Sequence, residues 1–148
     1  MKTIYRRRTT VVREQHSSYR RPELKAKITS AERVYTHLSE YQNLEREHFV
    51  VVTLDGSSRV ISTRVISIGT LNQSLVHPRE VYRPAILDNA AGIIVAHNHP
   101  SGQVEPSIED RRVTKRLKEV GKLVGIELLD HVILTDNGYY SFSEEDLV

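Results

Sequence analysis

The chain has 148 residues, a net charge of +2 and no cysteine. That length suits a single domain with its own core. The missing thiols exclude a disulfide framework, a cysteine-ligated zinc finger and a cysteine nucleophile, and they fit a reducing, cytoplasmic setting. With 39% apolar and 27% charged residues the composition is that of an ordinary globular domain. The longest apolar run, Ala90 to Ala96, falls far short of a membrane span. No apolar stretch follows the basic start, so no secretory signal is expected.

The charge is unevenly placed. Residues 1–27 hold nine basic side chains against two acids, a local charge of +7 that leaves −5 for the remainder. We read 1–26 as a basic N-terminal arm, an edge strand or disordered, and 27–148 as the folded domain. Such an arm can lie on phosphate backbones with strong salt dependence. Nucleic acid is therefore a candidate partner, although no base-reading motif accompanies the charge; a solvated tail is the plain alternative.

In chain order, residues 3–14 alternate loosely enough for an edge strand, and 15–23 read as loop. Thr29-x-x-Glu32 is a capping box that opens a helix of about a dozen residues, with Val34, Tyr35 and Leu38 near helical spacing. The β-branched run from Glu47 to Asp55 predicts a strand. Asp55-Gly56 predicts a hairpin turn into a partner strand from Arg59 to Ile68. Residues 69–77 read as loop. Pro78 suits the first position of a helix to about Asn89, its apolar face made by Val81, Tyr82, Ala85 and Ile86 with Leu87 close by. Gly92 to Ala96 is short and wholly apolar, as in a central strand buried on both faces.

Ser107 caps a further helix that buries Ile108, Val113, Leu117, Val120 and Val124 and stops near Gly125. Ile126 to Thr135 is the next strand, which Asp136-Asn137-Gly138 turns back into residues 139–142. Ser143-x-x-Asp146 offers a cap for a last short turn. The order β-α-β-β-α-β-α-β-β predicts an α/β (α+β) domain with a mixed β-sheet flanked by helices.

The stretch that carries chemistry is His97-Asn98-His99-Pro100-Ser101-Gly102, followed by Pro106-Ser107-Ile108-Glu109-Asp110. In an extended segment, residues i and i+2 point the same way, so His97 and His99 can grip one ion together. Pro100, Gly102 and Pro106 let the chain turn back. Asp110 then falls in the first turn of a helix, where the dipole favours a carboxylate. Two nitrogens, one oxygen and an open position make a catalytic zinc site rather than a structural one. A helix cap and a surface histidine pair are the plain readings of the same residues. An iron oxygenase could use the same ligand types, but no double-stranded β-barrel pattern accompanies them.

His97-x-His99-Pro100-Ser101-Gly102 with Pro106-Ser107-x-x-Asp110 resembles the JAMM motif of the JAB/MPN metallopeptidases. More narrowly, residues 68–71, 76–80, 129–133 and 138–142 resemble the bacterial RadC-like proteins, over roughly residues 27 to 148. The resemblance implies a JAB/MPN, cytidine-deaminase-like fold and a Zn2+ ion held by His97, His99 and Asp110. It also implies a glutamate on an early strand as general base, for which Glu47 is the choice over Glu45 and Glu80. Ser107 would donate a hydrogen bond to the oxyanion of a tetrahedral intermediate.

The implied activity is that of a peptidase or isopeptidase. The alternative is a DNA-repair or mobile-element-associated accessory protein that binds nucleic acid, with a non-essential metal site. Longer relatives carry an N-terminal helix-hairpin-helix module, and a chain of this length is not expected to hold one. Three further polar residues have structural expectations. His131 is a histidine hydrogen-bonded in the core, His77 belongs to a turn, and Asn98 points away from the ligand pair to fix the loop.

Overall fold

The computed structural model describes residues 25–69 and 76–148. The expected strand in 3–14, the loop at 15–23, most of the loop at 69–77 and nearly all of the basic arm lie outside the described residues. The described elements are α1 (Ala31–His37), a 3-10 turn (Ser39–Tyr41), β1 (His48–Leu54), β2 (Val60–Ile68), α2 (Pro78–Leu87), β3 (Gly92–Asn98), α3 (Ile108–Val124), β4 (Glu127–Thr135) and β5 (Gly138–Ser141). They form one five-stranded sheet in the order β2-β1-β3-β4-β5. β1 is antiparallel to both β2 and β3, β3 is parallel to β4, and β4 is antiparallel to β5. The parallel step needs a crossover, and α3 supplies it. This mixed sheet flanked by three helices is the α+β arrangement expected of a JAB/MPN domain.

Side-chain alternation assigns each strand residue to one of two layers. Phe49 and Val51 of β1, with Ile93 and Val95 of β3, pack against Val81, Tyr82 and Ala85 of α2 and Val113 and Leu117 of α3. Val50, Val52, Ile94, Ala96, Val132 and Leu134 face the other way, onto Val34 and Leu38. β3 lies between β1 and β4 and is buried along its whole length, which explains its unbroken apolar sequence. His97 follows the parity of Ile93 and Val95 and so points into the α2/α3 layer. Asn98 follows Ile94 and Ala96 into the α1 layer.

Several local expectations are corrected. The cap of α1 is Ser30, not Thr29: the Ser30 hydroxyl accepts the Arg33 N–H. The helix runs seven residues rather than a dozen before the chain tightens into the 3-10 turn. The hairpin expected at Asp55-Gly56 does form, closing with three residues between Asp55 and Arg59. The Asp55 N–H donates to the Arg59 carbonyl and the Ser58 N–H to the Asp55 carbonyl, with Ser58 in the left-handed conformation (φ 62°). α2 stops at Leu87, where the Asp88 carboxylate turns to accept from Thr53 and Ser62, and Ile86 and Leu87 stand exposed. Ile108 and Val124 of α3 are exposed as well. Ile108 is the first helical residue, on the side away from the sheet, and Val124 sits at the far end of the helix. Residues 143–146 make a turn in which the Asp146 N–H meets the Ser143 carbonyl. Among the described residues no helix is long and apolar enough to cross a membrane.

Two close approaches hold α3 where the site needs it. Tyr82 of α2 is buried and donates its hydroxyl to the Leu117 carbonyl at 2.8 Å, and burial pushes its phenol up to about 12. Gly121 lets this happen, because a Cβ there would stand 2.5 Å from the Tyr82 hydroxyl and 2.6 Å from the Ile126 carbonyl.

Candidate metal centre

Three elements deliver the site. β3 carries His97 at its penultimate position, fixed by the register Phe49↔His97 on one side and His97↔Ile133 on the other. His99 stands just past the strand's end, tied to the sheet by its N–H to the Leu134 carbonyl at 2.9 Å. Asp110 is the third residue of α3, inside a full capping box. The Ser107 hydroxyl accepts the Asp110 N–H at 3.0 Å, and Asp110 Oδ2 accepts the Ser107 N–H at 2.7 Å. Gly102, with φ 79°, lets the intervening loop curl so that its N–H reaches the His99 carbonyl.

These three side chains converge, and among the described residues they are the only group of histidines and carboxylates placed to hold a metal ion. His97 Nε2 lies 3.0 Å from His99 Nε2 and 3.2 Å from Asp110 Oδ1, and His99 Nε2 lies 3.5 Å from Asp110 Oδ2. Ligands about 2.0–2.1 Å from a tetrahedral ion would be separated by about 3.3 Å, so the spacing is that of a first coordination sphere.

The protons on the two rings follow from fixed acceptors. His99 Nδ1 sits 2.7 Å from the Gln103 carbonyl. A carbonyl only accepts, so Nδ1 carries the hydrogen and Nε2 of the neutral ring carries a lone pair. For His97 the logic runs through two more residues. Thr114 donates its hydroxyl to the Asp110 carbonyl at 2.7 Å, so its oxygen accepts from His131 Nδ1 at 2.6 Å. Full burial lowers the His131 pKa far below its usual value and keeps the ring neutral. His131 Nε2 is then an acceptor, for His97 Nδ1 at 2.9 Å. His97 Nε2 is left as a lone pair facing Asp110.

Two imidazole lone pairs and a carboxylate therefore face one another with no hydrogen among them, an arrangement that calls for a cation. Without a cation a proton takes its place, and the titration of the groups shows that pull. Burial pulls the His99 pKa down, but the Asp110 carboxylate, the Gln103 carbonyl and the charge of Glu47 more than offset it, and the pKa is raised. Burial pushes Asp110 up, but the His97 and His99 rings, which take up a proton toward it when no cation is bound, and the Ser107 N–H hold its carboxyl well below the usual range.

Aromatic rings fix the imidazoles from the sides. Phe49 stacks on His97 with 6.1 Å between centroids, and Phe142 stacks on His131 at 4.9 Å. His131 is thus hydrogen-bonded in the core, as expected, and its partner is one of the converging histidines. Its place inside an apolar strand gave no signal of that. Thr114, one turn after Asp110, is a residue that sequence reasoning missed. Its spacing of four from Asp110 was the available clue.

Glu47 immediately precedes β1, half-buried, with its carbonyl accepting the Gly69 N–H and its charge felt at His99. Glu45 is exposed in the approach to β1, and Glu80 is exposed in the first turn of α2. Asn98 pins the 44–48 approach rather than the loop after His99. Its Oδ1 accepts the His48 N–H at 2.7 Å, and its amide donates to the carbonyls of Leu44 and Arg46. His77 occupies the cap position of α2 with its carbonyl, not its ring, engaged. Ser107 is exposed beside Asp110.

A mixed sheet whose central strand hands two imidazoles to the first-turn acid of a crossover helix defines an α+β domain of the JAB/MPN kind with a candidate metal centre. A family model described as RadC-like JAB domain matches residues 28–147, and the chain belongs to that family. It is similar to a UPF0758 protein of Rubrobacter xylanophilus, 58% identical over 106 residues that cover 72% of this chain and 46% of that one. It is also similar to a UPF0758 protein of Thermotoga maritima (49% over 119 residues; 80% and 54% covered) and to one of Methanococcoides burtonii (46% over 125 residues; 84% and 55% covered). The chain spans about half the length of the curated relatives it matches.

Proposed function

We propose that this domain is a zinc-dependent hydrolase of the JAMM type that cleaves a peptide or isopeptide bond. The observation that supports it is the convergence of His97 Nε2, His99 Nε2 and the Asp110 carboxylate at the spacing of a coordination sphere. Two imidazole nitrogens and one carboxylate suit zinc and leave its fourth position open. Bound there, the ion would supply Lewis acidity, polarising a carbonyl and bringing the pKa of a water toward neutrality.

The remaining work falls to the chain. Glu47 is the general base that takes a proton and returns it to the leaving amine. Asn98 holds the segment that presents Glu47. The Ser107 oxygen accepts the Asp110 N–H while its own hydrogen stays available for the oxyanion. Losing one such donor costs about 3–4 kcal/mol of transition-state stabilisation.

Metal analysis of the purified protein tests the ligand set. About one zinc per chain is expected, and Asp110→Asn should lose it; full metal content in that variant argues against the site. Glu47→Gln should keep zinc and lose hydrolysis across a panel of fluorogenic peptide and isopeptide substrates. Undiminished turnover would remove Glu47 as the base.

A further inference from the structure

α3 carries six cations, Arg111, Arg112, Lys115, Arg116, Lys118 and Lys122. Four of them form a single row. At 100° per residue Arg111, Lys115, Lys118 and Lys122 fall within an arc of about 60°, in steps of four, three and four residues spanning about 16 Å. The same four border one shallow groove between α3 and the C-terminal residues Phe142 and Leu147. None of the four side chains forms a hydrogen bond or ion pair with another described residue. Among the described residues, the one ion pair along α3's outer surface joins Arg112 to Glu109, on the other flank. Glu119 also borders the groove and pairs with none of them.

This row works against the helix that carries it. Arg111–Lys115 and Lys118–Lys122 are like charges at i,i+4, and Lys115–Lys118 at i,i+3, all of them repulsive. Arg111 also stands in the first two turns, near the end where the helix dipole disfavours cations. A face kept only for solubility would interleave signs. A row of like charges is relieved by a rod of opposite charge laid along it.

We propose that this flank of α3 binds the phosphate backbone of double-stranded nucleic acid. No apolar side chain interrupts the arc; of the groove's two apolar neighbours Phe142 is buried and Leu147 alone is exposed, short of the apolar centre that a protein partner would call for. No accessible aromatic ring lies in it either, since the Phe142 ring is buried against His131, and single-stranded nucleic acid is gripped chiefly by stacking on such rings. Regular cations with neither feature fit duplex phosphates, held by charge without sequence readout. This binding surface is independent of the metal reading, since it uses none of His97, His99, Asp110 or Glu47.

The test is fluorescence anisotropy of the full chain with a random-sequence 24-base-pair DNA duplex between 50 and 200 mM salt. Four phosphate contacts predict a log–log slope of about −3.6 from this row, and Lys115→Gln with Lys118→Gln should flatten the measured slope by about 1.8. The N-terminal arm is common to both proteins, so the difference reports the row alone. The double variant should melt no lower than the parent, because repulsion has been removed. Arg64→Gln, on edge strand β2 and exposed, should leave the slope unchanged. An identical slope in parent and double variant overturns the proposal, as does a parent that fails to bind the duplex. Binding to poly-glutamate as tight as to the duplex at equal salt overturns it in favour of an acidic protein partner.

Discussion

Nδ1 of His97 lies 2.9 Å from Nε2 of His131, in a fully buried contact between neighbouring parallel strands. Through Thr114 the chain of hydrogen bonds returns to the backbone of Asp110, so two of the three converging residues are wired to one another behind the site. The closed path leaves one arrangement of protons, the one that frees His97 Nε2 as a donor atom.

His131→Phe keeps a ring against Phe142 but cannot accept from His97. Loss of an orienting partner of this sort typically lowers metal affinity about 10–100-fold. Zinc competition against a chromophoric chelator should show that loss while the fold, followed by circular dichroism, is retained. Unchanged affinity would mean that His97 holds its tautomer without His131.

In the metal-free protein the stability that His99 contributes should decline as the pH rises above neutrality. The His99 pKa is raised in the folded state, so the folded protein holds more protons than the unfolded chain above about 6.5. Its contribution is fully present below that value and declines as the pH passes through the raised one. Asp110 acts in the opposite sense: its lowered pKa contributes stability above the ordinary carboxylate range that is lost on strong acidification. Urea denaturation of the chelator-treated parent and His99→Asn at pH 6, 7 and 8 gives the His99 slope by difference, because the lowered His131 and His37 pKa values act in the opposite sense and are common to both proteins. Zinc affinity should show the reverse trend, rising with pH as protons leave the ligands.

Asn98→Ala removes three hydrogen bonds from a wholly buried position. Leaving the His48 N–H and two carbonyls short of partners should cost about 2–4 kcal/mol by chemical denaturation. Because the freed segment carries Glu47, hydrolysis should fall further than zinc content. Equal losses in both would mean that the 44–48 segment keeps its place unaided.

Gly121→Ala should destabilise by about 1–3 kcal/mol, since the new methyl overlaps both the Tyr82 hydroxyl and the Ile126 carbonyl. Tyr82→Phe removes one of those two obstacles. The double variant should therefore be more stable than the sum of the single losses implies, which a thermal-melt double-mutant cycle would measure.

The parts of this molecule legible in the sequence are those set by short-range spacing. His97 and His99 share a side because they are two apart on an extended strand, and Asp110 sits in a first turn because Ser107 caps it. The succession of elements along the chain from β1 onward follows from alternation and turn residues in the same way, but the order of the strands within the sheet does not. What was not legible depends on depth or on distant partners. Periodicity placed Ile86 and Ile108 on helices without showing that both would be exposed. Thr29 and Ser30 offer the same hydroxyl one residue apart, and only the built helix selects Ser30. His131 reads as an apolar-strand histidine until β4 is set beside β3, 34 residues away in sequence.

Consecutive residues of β3 serve opposite halves of the domain: His97 faces the α3 layer, and Asn98 anchors the approach to β1 in the other. A slip of the strand by one position would not shift the centre by a few ångströms but turn it inside out, sending an amide toward Asp110 and an imidazole toward Leu44. Length changes are therefore barred from Gly92–Asn98, whereas in the turn past Gln103, whose carbonyl holds the His99 ring, they would invert nothing. The pleat of one strand is what keeps the acid-facing side of this protein distinct from the side that braces it.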